Sequence, residues 1–345
     1  MIAVKAVQTV LGSIPADELG VTLMHEHLLV DASAWFRKPE EATKRAIAHS
    51  SVRMEVLGAL RNDPFLCLDN CRLLDEEAAI EEVSRFRHAG GCTVVDPTCR
   101  GIGRDPRALQ RISRATGLHV VMGAGYYLEP SHPQHVGDMS VEAVAAEIER
   151  DVVEGIEGVR AGIIGEIGVS KDFTPEEEKV LRGAARAQRR TEVPLEVHLP
   201  GWERRGSQVL DVIAEEGADL ARTILCHMNP SGEDLEYQVG LAERGAWLEY
   251  DMIGMDFYYA DQEAQSPSDQ ENARALGRLR EAGLLGRVLL SQDVFVKIQL
   301  VRYGGTGYAH ILEHFVPRLK RHGFDEKEIR TLLVDNPKNV FNGTG

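Results

Sequence analysis

Short apolar runs rich in β-branched residues alternate along the chain with longer stretches whose apolar positions recur every three to four residues. The runs predict strands at 22–30, 91–97, 118–124, 161–167, 194–199, 222–227, 245–251 and 287–293. The amphipathic stretches predict helices at 75–89, 105–116, 140–156, 175–191, 206–217, 233–243, 269–283 and 308–322, several opened by Ser, Asp or Thr as capping residues. Strand followed by helix, eight times over, is the pattern of an α/β fold whose parallel sheet closes on itself, a (β/α)8 TIM barrel. A doubly wound open sheet is disfavoured, because no Gly-x-Gly-x-x-Gly follows the first strand.

Two insertions interrupt the repeat. Residues 31–72 separate the first strand from its returning helix, with a helix expected around 40–60, and residues 252–268 follow the seventh strand. Loops of that length after barrel strands shape the mouth. The first 17 residues, around Val7-Gln8-Thr9-Val10-Leu11-Gly12-Ser13-Ile14, read as a hairpin that caps the opposite end. No repeat, low-complexity tract or linker divides the chain, so residues 1–345 are expected to form a single domain.

Composition narrows the classes. An apolar content of 43% in 345 residues can bury a large core, and a formal charge of −15 argues against nucleic acid as partner. Five scattered cysteines with no Cys-x-x-Cys pair point to a reducing compartment rather than a disulfide framework. Met1-Ile2-Ala3-Val4-Lys5 lacks a basic leader, and no apolar run reaches the roughly 18 to 20 residues of a membrane span. The expectation is a cytoplasmic protein that acts on a small molecule, without a membrane partner.

Polar residues at strand ends carry the candidate chemistry. The first strand holds His25 and His27 at alternate positions, which places both rings on one face and Glu26 on the other. A lone His-x-His is more often incidental than a metal anchor. Other strand ends change that balance. Glu166 stands among apolar and glycine residues in Gly162-Ile163-Ile164-Gly165-Glu166-Ile167-Gly168, where an unpaired carboxylate would be costly. His198 ends the fifth strand, His227 the sixth and Asp293 the eighth. Singly, each histidine reads as a hydrogen-bonded barrel residue and Asp293 as a helix cap. Jointly, the six are the ligands that divalent ions at a barrel mouth would draw from several strands. His310 and His314, spaced i, i+4, read as a surface pair on an outer helix, and His132 and His135 as turn residues that could reach the mouth.

The order His-x-His, acidic bridge, His, His, Asp resembles the amidohydrolase superfamily, and in particular its phosphotriesterase-related branch. The likeness runs nearly end to end and includes Val7–Gly12, Gly162–Gly168, Leu248-Glu249-Tyr250-Asp251, Tyr303–Leu312 and Asn336-Pro337-Lys338. It implies a metal-dependent hydrolase in which His25, His27 and Asp293 hold a more buried divalent ion, His198 and His227 a more exposed one, and Glu166 bridges the two. It also implies a metal-bridging hydroxide as nucleophile and Asp293 as the catalytic proton carrier. Zinc suits this set, with manganese, cobalt or iron as alternatives. Members that degrade organophosphates carry a carboxylated lysine where this chain has Glu166, which argues against efficient phosphotriester hydrolysis. The reaction implied is cleavage of a small amide such as an N-acyl amino acid or N-acetyltaurine. Alternatives are a lactonase or a carboxylic or phosphoric ester hydrolase, or a barrel that binds a hydrophobic toxin with little turnover. A homodimer is the assembly that relatives suggest. For the substrate, Tyr126, Tyr127, Trp202, Met252, Phe257, Tyr258 and Tyr259 are candidate pocket walls. Arg100, Arg104 and Lys297 are candidates for pairing with an anionic tail, or else for structural salt bridges.

Overall fold

Each of the eight apolar runs supplies one strand of a single parallel sheet: β1 (Thr22–Leu23), β2 (Thr93–Asp96), β3 (His119–Ala124), β4 (Ile163–Gly168), β5 (Leu195–His198), β6 (Thr223–Leu225), β7 (Trp247–Tyr250) and β8 (Val288–Leu290). The computed structural model describes residues 6–343, so the reading of Met1–Lys5 lies outside the described residues. Neighbours in the sheet follow chain order from β1 to β8, with helices between successive strands, which is the (β/α)8 barrel.

Alternation along the strands sorts the core into two layers. Val94, Met122, Ile164, Val197, Leu225, Leu248 and Leu290 face outward into the layer shared with the helices. Their neighbours Val95, Val121, Ile163, Ile224, Trp247 and Leu289 fill the lower lumen. That plug is completed by Val7 of the hairpin Ala6–Thr9 and Gly12–Pro15, and by Val340 and Phe341 near the C-terminus. Higher in the lumen the same inward positions change character and carry Glu196 and Glu249, both fully buried.

The first strand is much shorter than predicted. After Leu23 the chain leaves the sheet to close the barrel against the segment beyond β8. The backbone N–H of His27 donates to Val294 O at 3.3 Å, and that of Asp293 to His25 O at 3.2 Å. The buried Glu26 carboxylate accepts from Ser291 Oγ, both nitrogens of Gln292 and the Val294 N–H. Glu26 does point away from the two histidines, as alternation predicts, but the seam rather than a continuing strand holds it there.

The insertion at 31–72 contains two short helices, Ala42–Ala48 and Leu57–Asn62, in place of one at 40–60, and its ends pair as Val30–Asp31 against Arg72–Leu73. The 252–268 insertion forms a small ribbon, Tyr258–Tyr259 against Ala264–Gln265. The predicted helix at 308–322 is a π turn, Ile311–Phe315, running into Val316–Arg321. It buries His310, which bonds Asp269 Oδ2 at 2.8 Å; the surface reading holds only for His314. All five cysteines are unpaired, and no helix among the described residues is long and apolar enough to cross a membrane.

Candidate active site

Every predicted donor leaves the sheet at the C-terminal rim. Glu166 lies in β4 and His198 closes β5, while His227, Asp293, His25 and His27 sit within four residues past their strands. His25, His27 and Asp293 bring donor atoms within 4.8 Å of one another, and Glu166, His198 and His227 form a second such group. Glu166 faces both groups with separate oxygens. Its Oε1 lies 3.6 Å from His25 Nε2 and 3.2 Å from His27 Nε2. Its Oε2 lies 3.2 Å from His198 Nδ1 and 3.8 Å from His227 Nε2. Asp293 Oδ1 stands 3.6 Å from His25 Nε2 and 3.4 Å from His27 Nε2.

Two atoms test whether a cation fits here. His25 Nε2 and Asp293 Oδ1 are buried without a hydrogen-bond partner, and their 3.6 Å separation is too long for a hydrogen bond. Orphaned buried polar atoms are costly unless something binds them. The imidazole and carboxylate donors around them are the ones a divalent transition metal takes, so the residues present fit a metal ion.

The charges agree. Burial pushes the Glu166 carboxyl up, but His25, His198 and His27 outweigh it and hold the group well below the ordinary carboxylate range. Burial pulls His227 down, yet Asp251 beside it raises the ring to about 9. His198 is held low by burial and by neighbouring His227. The imidazoles around Glu166 therefore favour its charged form in a place sheltered from water.

Several supporting residues escaped the sequence reading. Glu196 Oε1 lies 2.7 Å from His25 Nδ1, Thr98 Oγ1 2.8 Å from His27 Nδ1, and Asp251 Oδ1 3.0 Å from His227 Nδ1. Outer groups of this kind fix ring orientation and tautomer. Alternation held the signal for one of them: Glu196 precedes His198 by two positions on β5 and so shares its lumen face.

Above this floor opens a cavity of about 880 Å³. Tyr127, Trp202, Met252 and Tyr259 line it as expected, and the insertion at 31–72 adds Trp35 and Phe65. Trp35 stacks on Phe65 with ring centroids 5.3 Å apart, and the wall continues to Tyr259 at 5.8 Å and from there to Trp202 at 5.2 Å. The Tyr127 hydroxyl is 3.3 Å from His198 Nδ1 and accepts the Trp35 indole N–H at 3.2 Å. Gly168 permits this approach, since a Cβ there would meet the Tyr127 backbone at 2.3 Å. Tyr126, Phe257 and Tyr258 do not line the cavity; the Tyr126 hydroxyl turns away to donate to Glu147 at 2.7 Å.

The anion-pairing candidates are corrected toward their structural alternative. Arg100 pairs with Glu147, Arg104 with Asp151 at 3.0 Å, and Lys297 with Asp69 at 2.6 Å, and none of the three lines the cavity. His132 braces the third loop through Glu176 Oε1 and Tyr127 O, both at 2.7 Å, and His135 also lies outside the cavity lining.

The family model of the phosphotriesterase family matches residues 5–341. The chain belongs to that family. As a member of the phosphotriesterase family it is a metal-dependent hydrolase. It is 37% identical over 341 residues to the N-acetyltaurine hydrolase of Tetraodon nigroviridis, covering 96% of each chain. Among solved structures it resembles a resiniferatoxin-binding protein from Rhodobacter sphaeroides, with 56% identity, a TM-score of 0.96 and coverage of 97% of this chain and 94% of that one. It also resembles the phosphotriesterase homology protein of Escherichia coli, solved with phosphate in its active site, at 31% identity and a TM-score of 0.78, covering 94% and 99%.

Proposed function

We propose that this phosphotriesterase-family hydrolase uses two divalent ions, zinc in the first instance, to cleave a small amide of the N-acyl amino acid or N-acetyltaurine type. The observation that carries the reading is the division of the Glu166 oxygens between two donor groups. His25, His27, Asp293 and Glu166 Oε1 would hold one ion; His198, His227 and Glu166 Oε2 would hold the other. Bound there, the ions would supply Lewis acidity and water acidified to a pKa of about 7.

The remaining work falls to this chain. Asp293 is the catalytic residue of this reading: it lines the cavity beside two imidazoles, and with Oδ1 given to an ion its other oxygen can take the proton of the attacking water and return it to the leaving nitrogen. Trp35, Phe65 and Tyr259 would exclude water from the acyl side. Lys171 lines the same cavity without an ion-pair partner among the described residues, which suits a carboxylate or sulfonate tail. The likeness to a toxin-binding protein at 56% identity favours a second reading, a ligand-binding barrel with little turnover.

Metal-reconstituted protein assayed on N-acyl amino acids, lactones and aryl esters separates these readings. The amide panel pairs anionic with neutral tails, because exposed Asp172 and Glu203 also line the cavity. Amide turnover that stops on chelation is expected. Preferential lactone or ester turnover would replace the amide assignment, and tight ligand retention without product would replace the enzymatic one.

A further inference from the structure

Glu26 sits between two of the candidate ligands and takes no part in the chemistry above. Its carboxylate is fully buried, and Oε1 accepts from Ser291 Oγ at 2.8 Å, the Gln292 N–H at 2.8 Å and Gln292 Nε2 at 3.2 Å. Oε2 accepts from the Val294 N–H at 2.9 Å. Ser291 Oγ in turn accepts the His25 N–H at 2.9 Å. The donors on both sides of Asp293 therefore converge on one side chain of the His25–His27 segment, from 266 and 268 positions away in the chain. Asp293 itself, caught between them, has a left-handed backbone with φ of 47°. Such a conformation is costly for a residue with a Cβ and persists only where its surroundings impose it. No β-ladder joins β8 to β1, so this carboxylate joins them together with the two backbone bonds of the seam and the His25–Ser291 bond.

We propose that Glu26 is a positioning residue that holds the Asp293 carboxylate in register with the His25 and His27 imidazoles, and that it thereby sets how long the site retains its metal. The inference rests on the assignment of those three residues as ligands. In Glu26→Gln the amide nitrogen must replace either Oε1 or Oε2, so one set of backbone donors would face another donor.

Glu82 supplies a matched control. It is also a buried carboxylate that accepts two backbone N–H groups of the segment after β8, those of Val301 and Arg302 at 2.9 and 2.8 Å, but it lies away from the ligands in sequence and outside the cavity. The experiment loads wild type, Glu26→Gln and Glu82→Gln with zinc, then follows metal release to a chromophoric chelator alongside thermal melting. Glu26→Gln is expected to release metal about ten-fold or more faster, in the range known for groups that support ligands. Glu82→Gln should lose stability without faster release. Equal release in wild type and Glu26→Gln, or equal acceleration in both variants at equal destabilisation, would overturn the proposal. If Glu26→Gln does not fold, Ser291→Ala removes two bonds of the seam, the one to Glu26 Oε1 and the one from the His25 N–H, and reads the same rate: faster release supports the role, and an unchanged rate overturns it. Wild type that holds no divalent ion would overturn both this role and the ligand assignment beneath it.

Discussion

Two candidate ligands, His227 and Asp293, adopt left-handed backbone conformations, with φ of 57° and 47°. Neither is a glycine, and neither is in regular structure. Each is held by a neighbouring carboxylate: Asp251 accepts the His227 N–H at 2.9 Å as well as facing its ring, and Glu26 grips the residues flanking Asp293. Strain of this kind collects where geometry serves a task other than stability. For Asp293 the task proposed is proton transfer, and Asp293→Asn keeps the size and one oxygen while removing the base. Turnover is expected to fall by about 10²- to 10⁴-fold, the contribution of a positioned general base, with the circular dichroism spectrum unchanged. A variant retaining full activity would rule out the role. The candidate donors were legible in the sequence because strand alternation and position at a strand end are local properties. The holding carboxylates were not, since Glu26 finds its partners more than 260 positions away.

At the scale of elements, the helices were legible because their starts carry their own signals. Asp75, Asp105, Ser140, Thr174, Asp234 and Ser268 each accept a backbone N–H in the first turn of the helix they open. The helix expected around 40–60 is broken by one bond within the segment and one from outside it. Ser50 Oγ turns back to Ile47 O, and Asp69 takes the Val52 N–H at 2.8 Å, so the chain breaks where a continuous helix was read. Tertiary capture also explains the burial of His310, whose partner Asp269 belongs to another helix. Asp269 accepts the Gly254 N–H at 2.8 Å and bonds His310 at 2.8 Å, tying the seventh-strand insertion to two helices. Burial pushes the Asp269 carboxyl up, but the bond and charge of His310 and the Gly254 N–H outweigh it and leave the group below its ordinary 3.8. A depressed carboxyl contributes stability that is complete above the unfolded value and is lost as pH falls through the folded one. Asp269→Asn should therefore destabilise by about 1–3 kcal/mol at neutral pH, and by less near pH 3. Urea unfolding of both proteins at the two pH values measures this; a gap that does not narrow in acid would refute it.

At the scale of the molecule, a barrel gathers the C-terminal ends of all its strands at one rim whatever their distance in sequence, so six residues between positions 25 and 293 could be assigned to one site before their contacts were known. The substrate could not, because Trp35 and Phe65 enter the cavity from an insertion whose path depends on captures such as that of Val52. The same convergence has a thermodynamic consequence. Glu166, Asp293, Glu196, Glu249 and Asp251 all lie buried in or beneath the rim, and carboxylates massed in a sheltered interior oppose folding unless cations or protons accompany them. The unfolded chain scatters these donors and binds divalent ions weakly, so loading at about 1,000 times Kd should add about 4 kcal/mol to stability. With an unfolding entropy of about 2.1 cal/mol/K per residue, over 345 residues, that corresponds to a rise in Tm of about 6 °C. Chelation should reverse the rise, re-addition of zinc should restore it, and Asp293→Asn should show a smaller shift because one ligand of the first ion is weakened. Scanning calorimetry of apo and reconstituted protein measures all three. A Tm indifferent to metal would mean that the five strands meet at the rim without an ion to join them, and the hydrolytic assignment of these six residues would have to be abandoned.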